Sequence, residues 1–131
     1  MANKDFSGIK NNSPLPDPSD IKVPNDAGDL LGDYIESTTS LLNELERSAL
    51  AYESGRNRQE NAATIRRILH KIKGESSMVG IDDMNELSHQ TEDAFEEIAE
   101  NKRVDMLLRF KDWACAAMQK LSSWSCKEKS L

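Results

Sequence analysis

The chain contains two histidines, and the first has a setting suited to nucleophilic chemistry. On a helix turning about 100° per residue, His70 projects roughly 150° away from the apolar stripe of Ile65, Ile68, Leu69 and Ile72, so its imidazole is expected to face solvent. Lys73, Gly74 and Ser77 share that face at helical spacing, and Arg66 and Arg67 flank it. Glycine within a helix costs about 1 kcal/mol relative to alanine. Gly74 therefore needs a reason, and close approach of another molecule beside His70 supplies one. Ser76 fits equally well as a plain helix-terminus residue or as part of the site lining.

A second segment brings partners to this face. With a turn centred near Gly80–Ile81, an antiparallel hairpin sets His70 level with Glu92 and Lys73 level with His89, since Ile81 is the sequence midpoint of both pairs. A carboxylate that accepts the Nδ1 proton fixes the imidazole tautomer and makes Nε2 more basic and able to attack phosphorus. A lysine ammonium alongside offsets charge on a phosphoryl group in flight. His70, Glu92, Lys73 and His89 are thus the candidate chemical residues. Gly74, Ser77, Arg66 and Arg67 form the expected partner-docking face.

The elements that must hold these groups are legible from periodicity. Leu31, Tyr34, Ile35, Thr38, Leu41, Leu42, Leu45, Ala49 and Tyr52 recur at steps of three and four, predicting a long amphipathic helix that stops near Gly55. Asn57 with Glu60 has the form of a capping box opening the His70 helix, and Gly80 suits its left-handed stop. Asp83 with Glu86 signals the next start, ahead of Met84, Leu87, Thr91, Ala94, Phe95 and Ile98. Asp105 is the expected cap of a last helix with Leu107, Phe110, Trp113, Ala114, Ala117, Leu121 and Trp124 inward. Four such helices joined by short links predict an all-α fold, an antiparallel up-down four-helix bundle over residues 28–125. Residues 126–131 are expected to be a C-terminal tail. Residues 1–27 hold all four prolines among Asn, Ser, Asp and Gly and predict a disordered tail that buries little. Its deletion is then expected to change stability by less than about 1 kcal/mol.

The stretch His70-Lys71-Ile72-Lys73-Gly74-Glu75-Ser76-Ser77-Met78-Val79-Gly80 resembles the H-x-x-K-G-x-S-x-x-x-G signature of histidine phosphotransfer (HPt) domains. Leu87, His89 and Glu92 are similar to the third helix of the N-terminal phosphotransfer domain of chemotaxis-type histidine kinases. The resemblance covers about residues 29–124. It implies a four-helix bundle whose His70 is the phosphoacceptor, with Lys73, His89 and Glu92 in a hydrogen-bonded network around it. It further implies a kinase catalytic domain as donor and a response-regulator receiver domain as acceptor, the receiver holding any Mg²⁺. Glu75 departs from the small residue usual at its position and adds negative charge near the site.

The whole chain bounds the rest. At 131 residues it suits one domain, and a net charge of −6 without a basic block argues against nucleic acid. No apolar run approaches the roughly 20 residues of a membrane span. Cys115 and Cys126 lack metal-ligand spacing and fit free thiols, with the cytoplasm as the expected compartment. No glycine-rich ATP loop is present, so the chain is expected to be a phosphorylated intermediate rather than an enzyme, with no cofactor. Glu86-Leu87-Ser88-His89 matches the Glu-x-x-His spacing of di-iron bundles, but His70 has no such glutamate upstream, and no metal is expected. The remaining rival is a structural interaction bundle without phosphotransfer.

Overall fold

The computed structural model describes the backbone of residues 4–25 and 27–129 and side chains as far as residue 123. Helices account for most of it, and no strand occurs among the described residues. They are α1 (Gly8–Asn11), α2 (Gly28–Glu53), α3 (Arg58–Val79), α4 (Asp82–Glu97) and α5 (Arg103–Lys129), with 3₁₀ turns at Pro18–Asp20 and Glu100–Lys102. Among the described residues, no helix is long and apolar enough to cross a membrane.

The apolar stripes explain the packing. α2 packs against both α3 and α5, α3 against α4, and α4 against α5. Leu42, Leu45, Ile65, Ile68, Leu69, Ile72, Phe95 and Phe110 are fully buried where these faces meet. Each such side chain contributes about 1.5–3 kcal/mol when removed from water. Every expected stripe residue with a described side chain is buried, except Ile35 and Ile98, which are partly so. Trp124 and Cys126 have side chains outside the described residues. The α5 backbone continues as helix to Lys129, beyond the end expected at residue 125.

Helix boundaries follow the glycines better than the expected caps. Gly80 has φ +86°, and its N–H and that of Ile81 close onto the carbonyls of Ser77 and Ser76. This is a Schellman stop, for which glycine is suited because it lacks a Cβ. A Cβ there would also come within 3.0 Å of Pro24. The expected capping box does not form: Asn57 is left-handed at φ +43° and makes no side-chain cap bond. Asp83 lies one residue inside α4, where its carboxylate meets Lys4 Nζ at 2.6 Å instead of capping. Asp105 sits in the first turn of a helix that begins two residues earlier, at Arg103. Both acids still lie where the helix dipole favours negative charge.

The larger correction concerns residues 4–25, which are not a loose tail. Phe6, Ile9 and Ile21 are buried, and Leu15 and Val23 pack on the core. α1 lies against α4 and α5, and the Pro18–Asp20 turn lies against α5. Phe6 meets the ring of Trp113 edge-on at 5.4 Å between centroids. Trp113 Nε1 donates to the Pro16 carbonyl at 2.7 Å, and Arg109 donates to the carbonyls of Gly8 and Ser13. Lys4 bonds both the Asp20 carbonyl and Asp83. Well-spaced apolar anchors and donors from α5 thus supply what the segment's polar composition conceals.

Candidate functional site

His70 lies in the middle of α3 on its solvent side, with a side chain 74 % exposed. The hairpin turn at Gly80 brings α4 back alongside, and Glu92 arrives level with it. Glu92 Oε2 is 3.4 Å from His70 Nδ1, the nitrogen whose proton a carboxylate must accept if Nε2 is to act as nucleophile. The carboxylate is mostly shielded, at 22 % exposure, and its other oxygen meets Lys73 Nζ at 2.7 Å. That second contact is an ion pair rather than a well-aligned hydrogen bond, since Oε1 has no hydrogen-bond partner by angle. One carboxylate therefore bridges the imidazole and the ammonium, and His70 Nε2 meets no polar partner among the described residues.

The register is pinned one turn away. Asn85 Nδ2 donates to the Lys73 carbonyl at 3.1 Å, tying the start of α4 to α3 beside Lys73 and Gly74. Asn85 was not among the sequence candidates. Its signal was present, because it lies seven residues before Glu92 and so on the same helical face. Beneath the surface, Tyr34 of α2 and Ser76 of α3 share a 2.6 Å hydroxyl contact. Burial pushes the Tyr34 phenol up to about 12, so it remains protonated near neutrality. Ser76 is fully buried and belongs to this interhelical bond, not to the exposed face. Glu75 accepts from Ser37 Oγ at 2.8 Å across the same seam.

Other sequence candidates divide. His89 does not join the Lys73–Glu92 pair; its Nε2 lies 3.6 Å from Asp93, one turn along α4. Hairpin arithmetic set Lys73 opposite His89, but the flexible lysine stem reaches diagonally to Glu92 instead. Arg66 forms a two-point pair with Glu96 at 2.5 and 3.2 Å and lies over the Phe95 ring. That hydrogen bonding holds the Glu96 carboxyl below and the Arg66 guanidinium above their ordinary values. Arg67 pairs with Glu44 of α2 at 3.1 Å. Both arginines therefore link helices. Gly74 and Ser77 are exposed, and beyond the local backbone of its own helix a Cβ added at Gly74 would meet no atom within 4 Å among the described residues. No internal contact accounts for that glycine.

The Glu92 bridge predicts a graded effect. Glu92→Gln removes the charge that favours a basic Nε2 and leaves Lys73 without its partner. Phosphorylation of His70 is expected to slow on the order of 10–100-fold, the low end of general acid–base contributions. Single-turnover labelling measures this, and an unchanged rate would remove Glu92 from the chemistry.

The arrangement suits reversible attachment of a phosphoryl group to an exposed imidazole. Comparison with known proteins agrees in kind: the family model for the Hpt domain matches residues 29–124, spanning α2 to α4 and most of α5. No curated protein and no solved structure gives a significant match. With the match covering most of the sequence, the chain belongs to the Hpt domain family.

Proposed function

We propose that the chain is a phosphoryl carrier in two-component signalling, accepting phosphate on His70 from a histidine kinase catalytic domain and passing it to a receiver-domain aspartate. The family membership supports the carrier role. The observation that carries the assignment to His70 is the Glu92 bridge, with Nδ1 facing Oε2 and Lys73 on Oε1. In the first step the Nε2 lone pair attacks the γ-phosphorus of ATP held by the kinase, an N–P bond forms and ADP leaves. Glu92 stabilises the positive charge that develops on the imidazole. In the second, an aspartate oxygen of the receiver attacks phosphorus, the N–P bond breaks and its electron pair returns to Nε2.

An antiparallel up-down four-helix bundle over residues 28–125 is the scaffold for this role. It is supported by the pairs Tyr34–Ser76 and Glu44–Arg67, whose numbers rise on α2 as they fall on α3. The likeness to the chemotaxis-type phosphotransfer domain rests on Lys73 and Glu92, while the turn of His89 towards Asp93 narrows the network to three residues. Gly74 and Ser77 serve the docking face. The unpaired thiol of Cys115 fits a reducing compartment, the cytoplasm.

The test is a relay. The chain is incubated with ATP and histidine kinases of its own genome, and acid-labile label is followed onto it and then to purified receivers. No label from any kinase or from a phosphorylated receiver would defeat the proposal. Gly74→Gln gives a sharper version. Because space around Gly74 is open, the variant should fold and still accept phosphate from phosphoramidate. Its bulk should slow transfer to the receiver about tenfold or more, as loss of a central contact does. Normal transfer would move the partner interface elsewhere.

A further inference from the structure

Three large apolar side chains stand exposed among the described residues: Met78 at 79 %, Leu30 at 54 % and Leu50 at 47 %. Two of them converge. Met78 is four residues beyond Gly74 and eight beyond His70, so the three form a line along one face of α3, about 12 Å from end to end. Leu30 lies seven residues, two full turns, before Ser37, the α2 residue that bonds Glu75 of α3. It therefore lies on the side of α2 that faces α3. The Tyr34–Ser76 contact sets the level: one turn before Tyr34 on α2 corresponds to one turn after Ser76, beside Met78 and Val79. Leu50 lies twenty residues further along α2, about 30 Å away, and is separate.

The surface beside this pair is acidic. Asp33, Glu36 and Lys71 border a groove between α2 and α3, whose other end is closed by the Glu44–Arg67 pair. Among the described residues neither Asp33 nor Glu36 forms an ion pair. With Glu75 they leave the groove negative against Lys71 alone.

We propose that Leu30 and Met78 form the apolar contact by which a receiver domain docks beside His70, and that the acidic groove selects a receiver whose apolar docking face has a basic rim. This deepens the carrier reading and rests on it. Three features fix the occupant. The patch is continuous with the open Gly74 and the phosphoacceptor, so whatever covers it lies over His70. Its charge calls for a cationic border. Two side chains are also far too little for the roughly 800 Å² per partner of a stable interface, which suits a partner that must leave after each transfer.

The test compares Met78→Glu, Leu30→Glu, the double variant and Leu50→Glu as a control of the same chemistry at the far end. The acceptor is the receiver that takes phosphate fastest from the parent chain. All three sites are exposed in the parent, and Met78→Ala and Leu30→Ala are carried alongside in case a glutamate variant melts early. The double variant is expected to lower kcat/KM for transfer about 10–100-fold through a higher KM, as loss of contact residues does. Leu50→Glu should match the parent, and labelling by phosphoramidate should be unchanged throughout. Asp33→Asn with Glu36→Gln should weaken transfer at low salt and flatten its decline with rising salt. Unchanged transfer in the double variant overturns the proposal, as does an equal loss in Leu50→Glu or a parallel fall in phosphoramidate labelling. A dimer of the parent that Met78→Glu dissolves, with transfer unaffected, assigns the patch to a second copy and overturns it too. If the parent itself never labels on His70, the carrier reading fails first, and that result is distinct from all of these.

Discussion

With His70 replaced by Gln, the chain is expected to keep its helical signal and thermal midpoint and to take up no acid-labile phosphate. The side chain is 74 % exposed, and its one polar contact among the described residues is the 3.4 Å approach to Glu92, so stability should shift by no more than about 0.5 kcal/mol. Lys73 keeps its 2.7 Å partner, and the ion pair that steadies α3 against α4 survives. Glutamine has comparable reach but an amide nitrogen without an available lone pair, so no N–P bond can form. The loss should be complete rather than graded, because the other imidazole faces Asp93 and has no lysine-bridged carboxylate behind it. Label that persists in His70→Gln and disappears in His89→Gln would place the acceptor on α4 and sink the assignment.

The parts of this site that could be read from sequence are those fixed by backbone geometry. The level of His70 with Glu92 follows once Gly80 is recognised as a left-handed stop, because one rigid turn sets the register of everything on either side. The buried stripes follow from the helical repeat. What escaped depended on side-chain reach. Lys73 crosses to Glu92 rather than His89, and the pairs that Arg66 and Arg67 make with Glu96 and Glu44 of neighbouring helices were not foreseen. Long flexible stems choose among several neighbours, and sequence spacing does not rank those choices. The capping signals failed for a related reason. Asn57 enters α3 from a left-handed conformation, and Asp83 is taken by Lys4 from the far end of the chain. The N-terminal segment was the hardest to read. Its apolar anchors have no period because most of it is not helical, and the groups that satisfy its carbonyls lie about a hundred residues away on α5.

That segment carries the second large prediction. Phe6→Ala is expected to destabilise the chain by about 3 kcal/mol, the lower end for a buried phenylalanine, since a strap can relax more readily than a helix core. Phe6 is 2 % exposed and packs edge-on against Trp113, so its loss removes both apolar burial and an aromatic contact. For a chain of this size such a change should lower the melting midpoint by roughly 10 °C or more. Deleting residues 1–24 should go further in one respect. It uncovers Trp113, frees its indole N–H from the Pro16 carbonyl and strips Arg109 of two carbonyl partners. Tryptophan emission should then shift to the red while most helical signal remains, because α2 to α5 keep their own core. Urea titration of the parent, Phe6→Ala and the truncated chain, followed by circular dichroism and by fluorescence, measures both effects. A truncated chain that unfolds at the parent's midpoint with unshifted emission would mean that the strap does not dock in solution. An intermediate result is also informative about function. Lys4 holds Asp83 in the first turn of α4, and Pro24 lies against Gly80 in the turn that sets the His70–Glu92 register. If the truncated chain stays folded, its His70 should label more slowly, because the hairpin that carries Glu92 has lost its brace.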